Sequence, residues 1–196
     1  SGTTIPSWLN LQASSGTLNG TPSNNDVGDH NVVITASSPG STSVTQSFSI
    51  KVINVNDAPT ITSTSIISIN EDSLYSYTLT ASDVDAGDVL TLSATTIPSW
   101  LTFNASTGVL SGTPLNEDVG EHSVTLVATD LSGATDIQNF KVTVVNVNDP
   151  PEFTSTPITT ATEDSLYSYT ITATDPDPTS DTITFSAPTI PSWLSL

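Results

Sequence analysis

Carboxylate side chains recur at matched loop positions of this sequence. Asp83 and Asp85 recur 92 residues later as Asp175 and Asp177, and an Asn-Val-Asn-Asp segment also occurs twice at that spacing. Oxygen ligands without cysteine or histidine suit a hard cation, and Ca²⁺ takes about six to eight oxygens at about 2.3–2.6 Å. Massed carboxylates repel one another, and a bound cation removes that repulsion. The pattern therefore favours Ca²⁺ sites over a merely solvated acidic surface.

No catalytic site is predicted. His30 and His122 occupy equivalent positions 92 residues apart, each at the start of a strand, which indicates a structural role. The sequence has no Ser-His-Asp spacing, phosphate-binding loop or zinc motif. Catalysis needs one unique constellation, whereas the paired carboxylates are made twice here. We therefore expect a protein that is not an enzyme.

The charge balance excludes two classes of partner. The 196 residues carry 2 Lys, no Arg and 20 Asp plus Glu, for a net charge of -18. Nucleic acid and anionic membrane surfaces both attract clustered basic residues, so we expect neither as a partner and no membrane insertion. No apolar run approaches the roughly 18–20 residues of a membrane helix, and Cys is absent. We expect a piece of a longer exported protein, in an extracellular or cell-surface location.

Strand-like alternation dominates the elements that must hold these loops. Tyr75, Tyr77 and Leu79 fall on one face of a strand, and later stripes repeat that period of two. Thr, Ser, Val and Ile are abundant, and Thr, Val and Ile favour a pleated surface. The sequence therefore predicts an all-β fold.

Long internal repeats set the architecture. Ile-Pro-Ser-Trp-Leu begins at residues 5, 97 and 190, and Glu-Asp-Ser-Leu-Tyr-Ser-Tyr begins at residues 71 and 163. A unit of about 92 residues is close to the ~100 residues of an immunoglobulin-like sandwich. We predict tandem Greek-key β-sandwiches of the cadherin/immunoglobulin-like kind, with the repeated Trp residues in their cores. The boundaries fall into the C-terminal part of one repeat at 1–57, a complete repeat at 58–149 and the N-terminal part of a third at 150–196.

The two partial repeats are complementary. Residues 150–196 run from the start of a repeat to its Trp segment, and residues 1–57 run from that segment to the end of a repeat. A half-sandwich buries little apolar surface and leaves open strand edges. One hypothesis is that the halves of two chains complete each other by strand complementation. The alternatives are an arbitrary boundary or a true domain boundary at the Trp segment.

A family resemblance covers the whole chain. A Glu at an early strand, Ala-x-Asp-x-Asp, Ala-x-Asp and a closing Asn-x-Asn-Asp-x-Pro resemble a cadherin repeat. The fuller pattern, with Tyr-Ser-Tyr, Ile-Pro-Ser-Trp-Leu and Thr-Gly-x-Leu-x-Gly-Thr-Pro, resembles the dystroglycan-type cadherin-like repeat of bacterial surface proteins, part of which is also described as an Ig domain. The resemblance implies Ca²⁺ as cofactor, bound where consecutive repeats meet.

Carried over residue by residue, the resemblance implies two sets of ligands. The first set comprises Asp26, Asn54, Asn56, Asp57, Asp83, Asp85 and Asp130. The second set comprises Glu71, Asp118, Asn146, Asn148, Asp149, Asp175 and Asp177. The second set lacks an equivalent of Asp130, and the first lacks an equivalent of Glu71.

Two departures from the cadherin pattern bear on affinity and adhesion. The Asp-Arg-Glu element is replaced by Asn116-Glu117-Asp118 and Asn24-Asn25-Asp26, and the first linker Asp by Asn54 and Asn146. Fewer charges imply fewer or weaker ions, and extracellular Ca²⁺ modules work at about 10⁻⁴–10⁻³ M. The adhesive Trp that some cadherins exchange has no counterpart, so adhesion by that route is not implied.

Two functions fit these observations. The first is a calcium-binding structural and adhesive repeat that stiffens a surface or secreted protein, with neighbouring repeats, other copies of itself, or a cell-surface protein or polysaccharide as partners. The alternative is a carbohydrate-binding module, which needs exposed aromatic rings on one face. The 12 aromatic residues mostly repeat at strand-core positions, which favours the first function.

Overall fold

Strands account for nearly all regular structure in the computed structural model, which describes residues 4–178 and 182–196. The predicted all-β fold class is therefore confirmed. In the described residues no helix is long and apolar enough to cross a membrane. The chain forms two compact units, one of Ser1–Thr60, Ala81–Thr91 and Ala128–Asp136 (unit 1), the other of Ile61–Thr80, Leu92–Val127 and Ile137–Leu196 (unit 2).

Hairpins make up the first part of unit 1. Strands β1 (Leu9–Gln12) and β2 (Thr17–Gly20) pair antiparallel, and a 3-10 turn at Asn24–Asp26 leads into β3 (Gly28–Ala36) and β4 (Val44–Val52). β3 and β4 pair antiparallel over their full length, from Gly28 opposite Val52 to Ala36 opposite Val44. Unit 1 also holds β8 (Ala81–Ser82) and the first residue of β5 (Thr60–Ile61).

Two larger sheets are built mainly from unit 2. Their strands are β6 (Ser68–Asn70), β7 (Tyr75–Thr78), β9 (Thr91–Thr96), β10 (Thr102–Asn104), β11 (Val109–Gly112), β12 (Gly120–Thr129) and β13 (Thr135–Val145). One sheet has the order β10-β11-β7 and the other β6-β13-β12-β9, with β6 parallel to β13. A 3-10 turn at Asn116–Asp118 precedes β12, and β14 (Glu152–Phe153) pairs with β15 (Ala173–Thr174).

The hydrophobic core of unit 2 lies on the faces that alternation predicts. Tyr75 and Tyr77 on β7 pack with Leu110 on β11, Leu126 on β12 and Val142 on β13, and all are at most 4% exposed. Full burial of each such side chain stabilises the fold by about 1.5–3 kcal/mol. The core therefore packs residues of β7, β11, β12 and β13 together within unit 2.

The repeated Trp residues do not all have the same surroundings. Trp100 packs against the core, with its ring edge-on to Tyr75 at 5.9 Å and to His122 at 5.9 Å. Trp193 is 65% exposed, which differs from the expectation of a core position. Its ring meets that of Tyr167 edge-on at 6.0 Å.

Candidate metal centres

A tight turn in unit 1 holds the first pair of predicted ligands. The backbone N–H of Asp85 donates to Asp83 Oδ1 at 2.9 Å, an aspartate turn that fixes both carboxylates on one loop. The backbone N–H of Asp57 donates to Asp85 Oδ2 at 2.8 Å. Asp57 itself accepts a hydrogen bond from Asn24 Nδ2 at 2.6 Å. The linker aspartate and the Asp-x-Asp turn are thus joined directly.

Asp130 joins the same loops from the end of β12. Asn56 Nδ2 donates to Asp130 Oδ2 at 2.8 Å, and the Ala134 N–H donates to Asp130 Oδ1 at 2.8 Å. These bonds to the ionised form lower the pKa of Asp130, the Asn56 side chain being the largest cause. Asp130 is 6% exposed, so its charge is held in a buried position.

Asp88 belongs to this cluster although it is absent from the predicted ligand set. One carboxylate oxygen each from Asp83, Asp88 and Asp130 lies within 4.8 Å of the others. Burial raises the pKa of Asp88, and the charges of Asp83, Asp130 and Asp85 raise it further. One sequence signal could have found it: Asp181 follows Asp88 by 93 residues, the spacing that also relates Ile97 to Ile190. Asp181 lies outside the described residues.

The acidic cluster of unit 1 (Asp83, Asp85, Asp88 and Asp130) fits a Ca²⁺ ion in its donor chemistry. Buried oxygens of three members have no hydrogen-bond partner among the residues that the structure describes: Asp83 Oδ2, Asp85 Oδ1 and Asp88 Oδ2. An unpaired buried carboxylate oxygen is costly, and a cation compensates it. Two oxygens bound to one Ca²⁺ lie at most about 5 Å apart, which agrees with the spacing of this cluster.

The second predicted set lies within unit 2 and repeats much of the same bonding. The Asp149 N–H donates to Asp177 Oδ2 at 3.1 Å, and the Asp177 N–H donates to Asp175 Oδ1 at 3.1 Å. Asn116 Nδ2 donates to Asp149 Oδ2 at 2.9 Å, matching the bond from Asn24 to Asp57. Within the described part of the chain, however, no second group of three carboxylates reaches the spacing of the unit 1 cluster.

Glu71 is the buried acid of the second set. Its side chain is 1% exposed, and its Oε1 accepts a hydrogen bond from the Val147 N–H at 2.5 Å. Glu71 Oε2 and Asn146 Oδ1 are buried and have no hydrogen-bond partner in residues 4–178 and 182–196. Glu71 and the linker are therefore fixed to each other, with two oxygens left for a cation.

The remaining predicted ligands lie closer to solvent or serve the backbone. Asp26 Oδ2 accepts from the Ser23 N–H at 2.8 Å, which lowers the pKa of Asp26, and Asp118 Oδ2 accepts from the Leu115 N–H at 3.0 Å. Both aspartates thus cap a 3-10 turn. Asn54 and Asn148 are exposed, and Asn148 Nδ2 donates to the Asp149 carbonyl at 3.1 Å.

The nearly all-β architecture, with acidic loops between its strands, is an Ig-like fold of cadherin-like form. The chain belongs to the family described as "Putative Ig domain", whose model matches residues 1–53, 58–145 and 150–196. The dystroglycan-type assignment within this group stays a prediction.

Relatives and solved structures extend this result. Over 142 residues, 72% of the chain, it is 31% identical to "Serine-rich adhesin for platelets" of Staphylococcus aureus strain MRSA252. The match covers 10% of that protein, so the chain spans about a tenth of the length of this curated relative.

The Protocadherin GammaB4 extracellular domain matches 90% of the chain and 31% of its own chain at 20% identity, with a TM-score of 0.56. Human Protocadherin-24 EC1-2 matches 74% of the chain and 80% of its own chain at 22% identity, with a TM-score of 0.50. These two structures bear on the fold alone.

Proposed function

We propose that the chain is a non-enzymatic, calcium-binding repeat module of an extracellular or surface adhesin, in which Ca²⁺ fixes each repeat to the linker before it. The observation that carries this proposal is the unit 1 cluster, with three carboxylates inside 4.8 Å and buried oxygens that lack partners among the described residues. The homology to adhesin repeats supports the adhesin context.

Ca²⁺ would be held by side chains that the fold already orients. In unit 1 these are Asp83, Asp85 and Asp130, which the linker residues Asn56 and Asp57 contact directly. The ion would supply positive charge to a cluster whose buried carboxylate oxygens lack hydrogen-bond partners among the described residues. Because the linker and the loops would share one ion, the joint between repeats would stiffen, and binding would stabilise the fold by mass action.

The proposal is tested by titrating the chain with Ca²⁺ in a calorimeter and by thermal unfolding in Ca²⁺ and in EGTA. We expect saturable binding, a higher Tm with Ca²⁺ and a more extended scattering profile than in EGTA. Mg²⁺ at equal concentration is the control cation, because its strict octahedral shell suits this site less well. Unchanged Tm and scattering in both buffers would refute calcium binding.

We further propose, for this 196-residue chain, self-association through an exposed apolar face within 150–196. Phe153, Ile190 and Trp193 are 75%, 42% and 65% exposed. Their equivalents in the central repeat (residues 58–149), Ile61, Ile97 and Trp100, pack against the core of unit 2. Residues 9–52 of a second copy carry the strand pattern that would cover this face.

Light scattering over a range of protein concentrations tests the association separately from calcium binding. We expect the mass to rise with concentration and W193S to reduce the rise, whereas W100S would unfold the core instead. A monomer at every concentration would refute self-association and leave the calcium proposal standing. The sugar-binding alternative needs exposed aromatic rings on one face. Trp193 is 65% exposed, whereas Trp8 and Trp100 each meet a His ring edge-on, which favours the adhesin repeat.

A further inference from the structure

Resting on the proposed calcium function, we infer that Asp88 is an additional Ca²⁺ ligand, so that the loops of one repeat supply three grouped carboxylates to the site. Asp83, Asp88 and Asp130 all belong to the predicted central repeat, and their oxygens lie within 4.8 Å of one another. The linker before the repeat would then adjust the Ca²⁺ affinity of a site that the repeat's own loops form.

The loop brings Asp88 back towards Asp83 by a tight turn. The Asp88 N–H donates to the Asp85 carbonyl at 3.3 Å, and Gly87 between them has φ +96°, a left-handed conformation that side chains rarely adopt. Three residues therefore reverse the chain and place a third carboxylate beside the first. The turn gives Asp88 its position independently of any linker residue.

The charges around Asp88 suit a bound cation. Asp85 is 7% exposed, and its Oδ1 is buried without a partner in the described part of the chain, as is Asp88 Oδ2. One carboxylate oxygen each of Asp83 and Asp130 lies within 4.8 Å of one from Asp88. A bound cation would compensate the negative charge concentrated around Asp88.

The test compares wild type with D88N and with D29N, which removes one exposed aspartate from β3 in the same unit. In calorimetry we expect D88N to weaken one Ca²⁺-binding event about tenfold or more, since even outer-shell changes cost metal sites about 10–100-fold. Binding at the second set and the affinity of D29N should stay as in wild type.

Thermal unfolding in EGTA separates a ligand from a structural residue. Without Ca²⁺, D88N should unfold at a higher temperature than wild type, because one repelling charge is gone, and it should gain less from added Ca²⁺. D88S serves as a second variant if D88N does not fold. Equal Ca²⁺ affinity in D88N and wild type, or a lower Tm of D88N in EGTA at unchanged affinity, would overturn the assignment. No Ca²⁺ binding by wild type would instead defeat the proposed function as well.

Discussion

Backbone amides hold individual aspartates of this protein in fixed orientations. The amides of Asp57 and Asp149 donate to the second aspartate of each Asp-x-Asp pair, at 2.8 Å and 3.1 Å. Such bonds select one orientation of the carboxylate. In Asp85 the other oxygen, Oδ1, has no partner among the described residues, whereas the Asp149 amide also reaches Asp177 Oδ1 at 3.3 Å. The linker aspartate therefore positions the acidic turn through its backbone and not only through its charge.

Glu71 tests the role of a buried acid at the residue scale. E71Q keeps an oxygen for the Val147 amide but loses the charge, so we expect its Tm in EGTA to match or exceed that of wild type. E71A leaves that amide without its partner and should cost about 1–3 kcal/mol in the free energy of unfolding. Both variants should lose the Ca²⁺-dependent rise in Tm that comes from the second set. A full rise in E71Q would remove Glu71 from that set.

Gly112 explains why Gly-Thr-Pro recurs in the sequence. A Cβ at Gly112 would stand 1.8 Å from the Trp100 carbonyl oxygen, and one at Gly20 would stand 2.0 Å from that of Trp8. We expect G112A to destabilise unit 2 by about 1–3 kcal/mol, because the backbone must move. T113A, at the exposed neighbouring position, is the control. Chemical denaturation measures both, and equal midpoints would contradict the close contact.

Elements were easier to predict than the loops between them. Alternation along β7, β12 and β13 follows directly from the period of two, so the buried faces at Tyr75, Val124 and Val142 could be read from the sequence. The 93-residue spacing to Asp181 could have marked Asp88 as a repeated acid, but its place beside Asp83 depends on the chain reversal at Gly87, which that spacing does not show. The family resemblance also predicts ligands only where a motif matches, and Asp88 lies outside those motifs.

Strand β7 gives a prediction for alkaline pH. Burial raises the pKa of Tyr75 to about 12, above the ordinary value of 10.0. The folded state thus favours the neutral phenol, so its contribution to stability is complete below pH 10 and is lost as the pH rises through about 12. The phenol also donates to the Ile66 carbonyl at 2.9 Å.

Y75F isolates this titration from that of the other tyrosines. At pH 7 we expect the variant to lose about 1 kcal/mol with its hydrogen bond. Between pH 10 and about 12 the deficit should shrink or reverse, because a phenylalanine ring at this position has no proton to lose. Denaturant midpoints of wild type and Y75F are measured at several pH values. A constant difference between the two proteins across that range would mean that the pKa of Tyr75 is the same in the folded and unfolded states.

At the scale of the whole molecule, the charge of -18 opposes every compact or associated state of the chain. Lys141 pairs with Glu121 at 2.6 Å on the surface, and both side chains are more than half exposed, so this bridge offsets little of the repulsion. Bound cations and dissolved salt remain as the means of compensation. They act differently, since an ion in a buried cluster is held at short range while salt screens exposed charges.

Salt dependence follows from that difference. In EGTA we expect the Tm to rise as NaCl increases from about 0.01 M to 1 M, because the screening length falls from about 30 Å to about 3 Å. With saturating Ca²⁺ the rise should be smaller, since the buried carboxylates of the unit 1 cluster would already be compensated. Sucrose at matched osmolality is the control for effects unrelated to charge. If salt raised the Tm equally with and without Ca²⁺, the repulsion would reside in the exposed acids and not in the cluster.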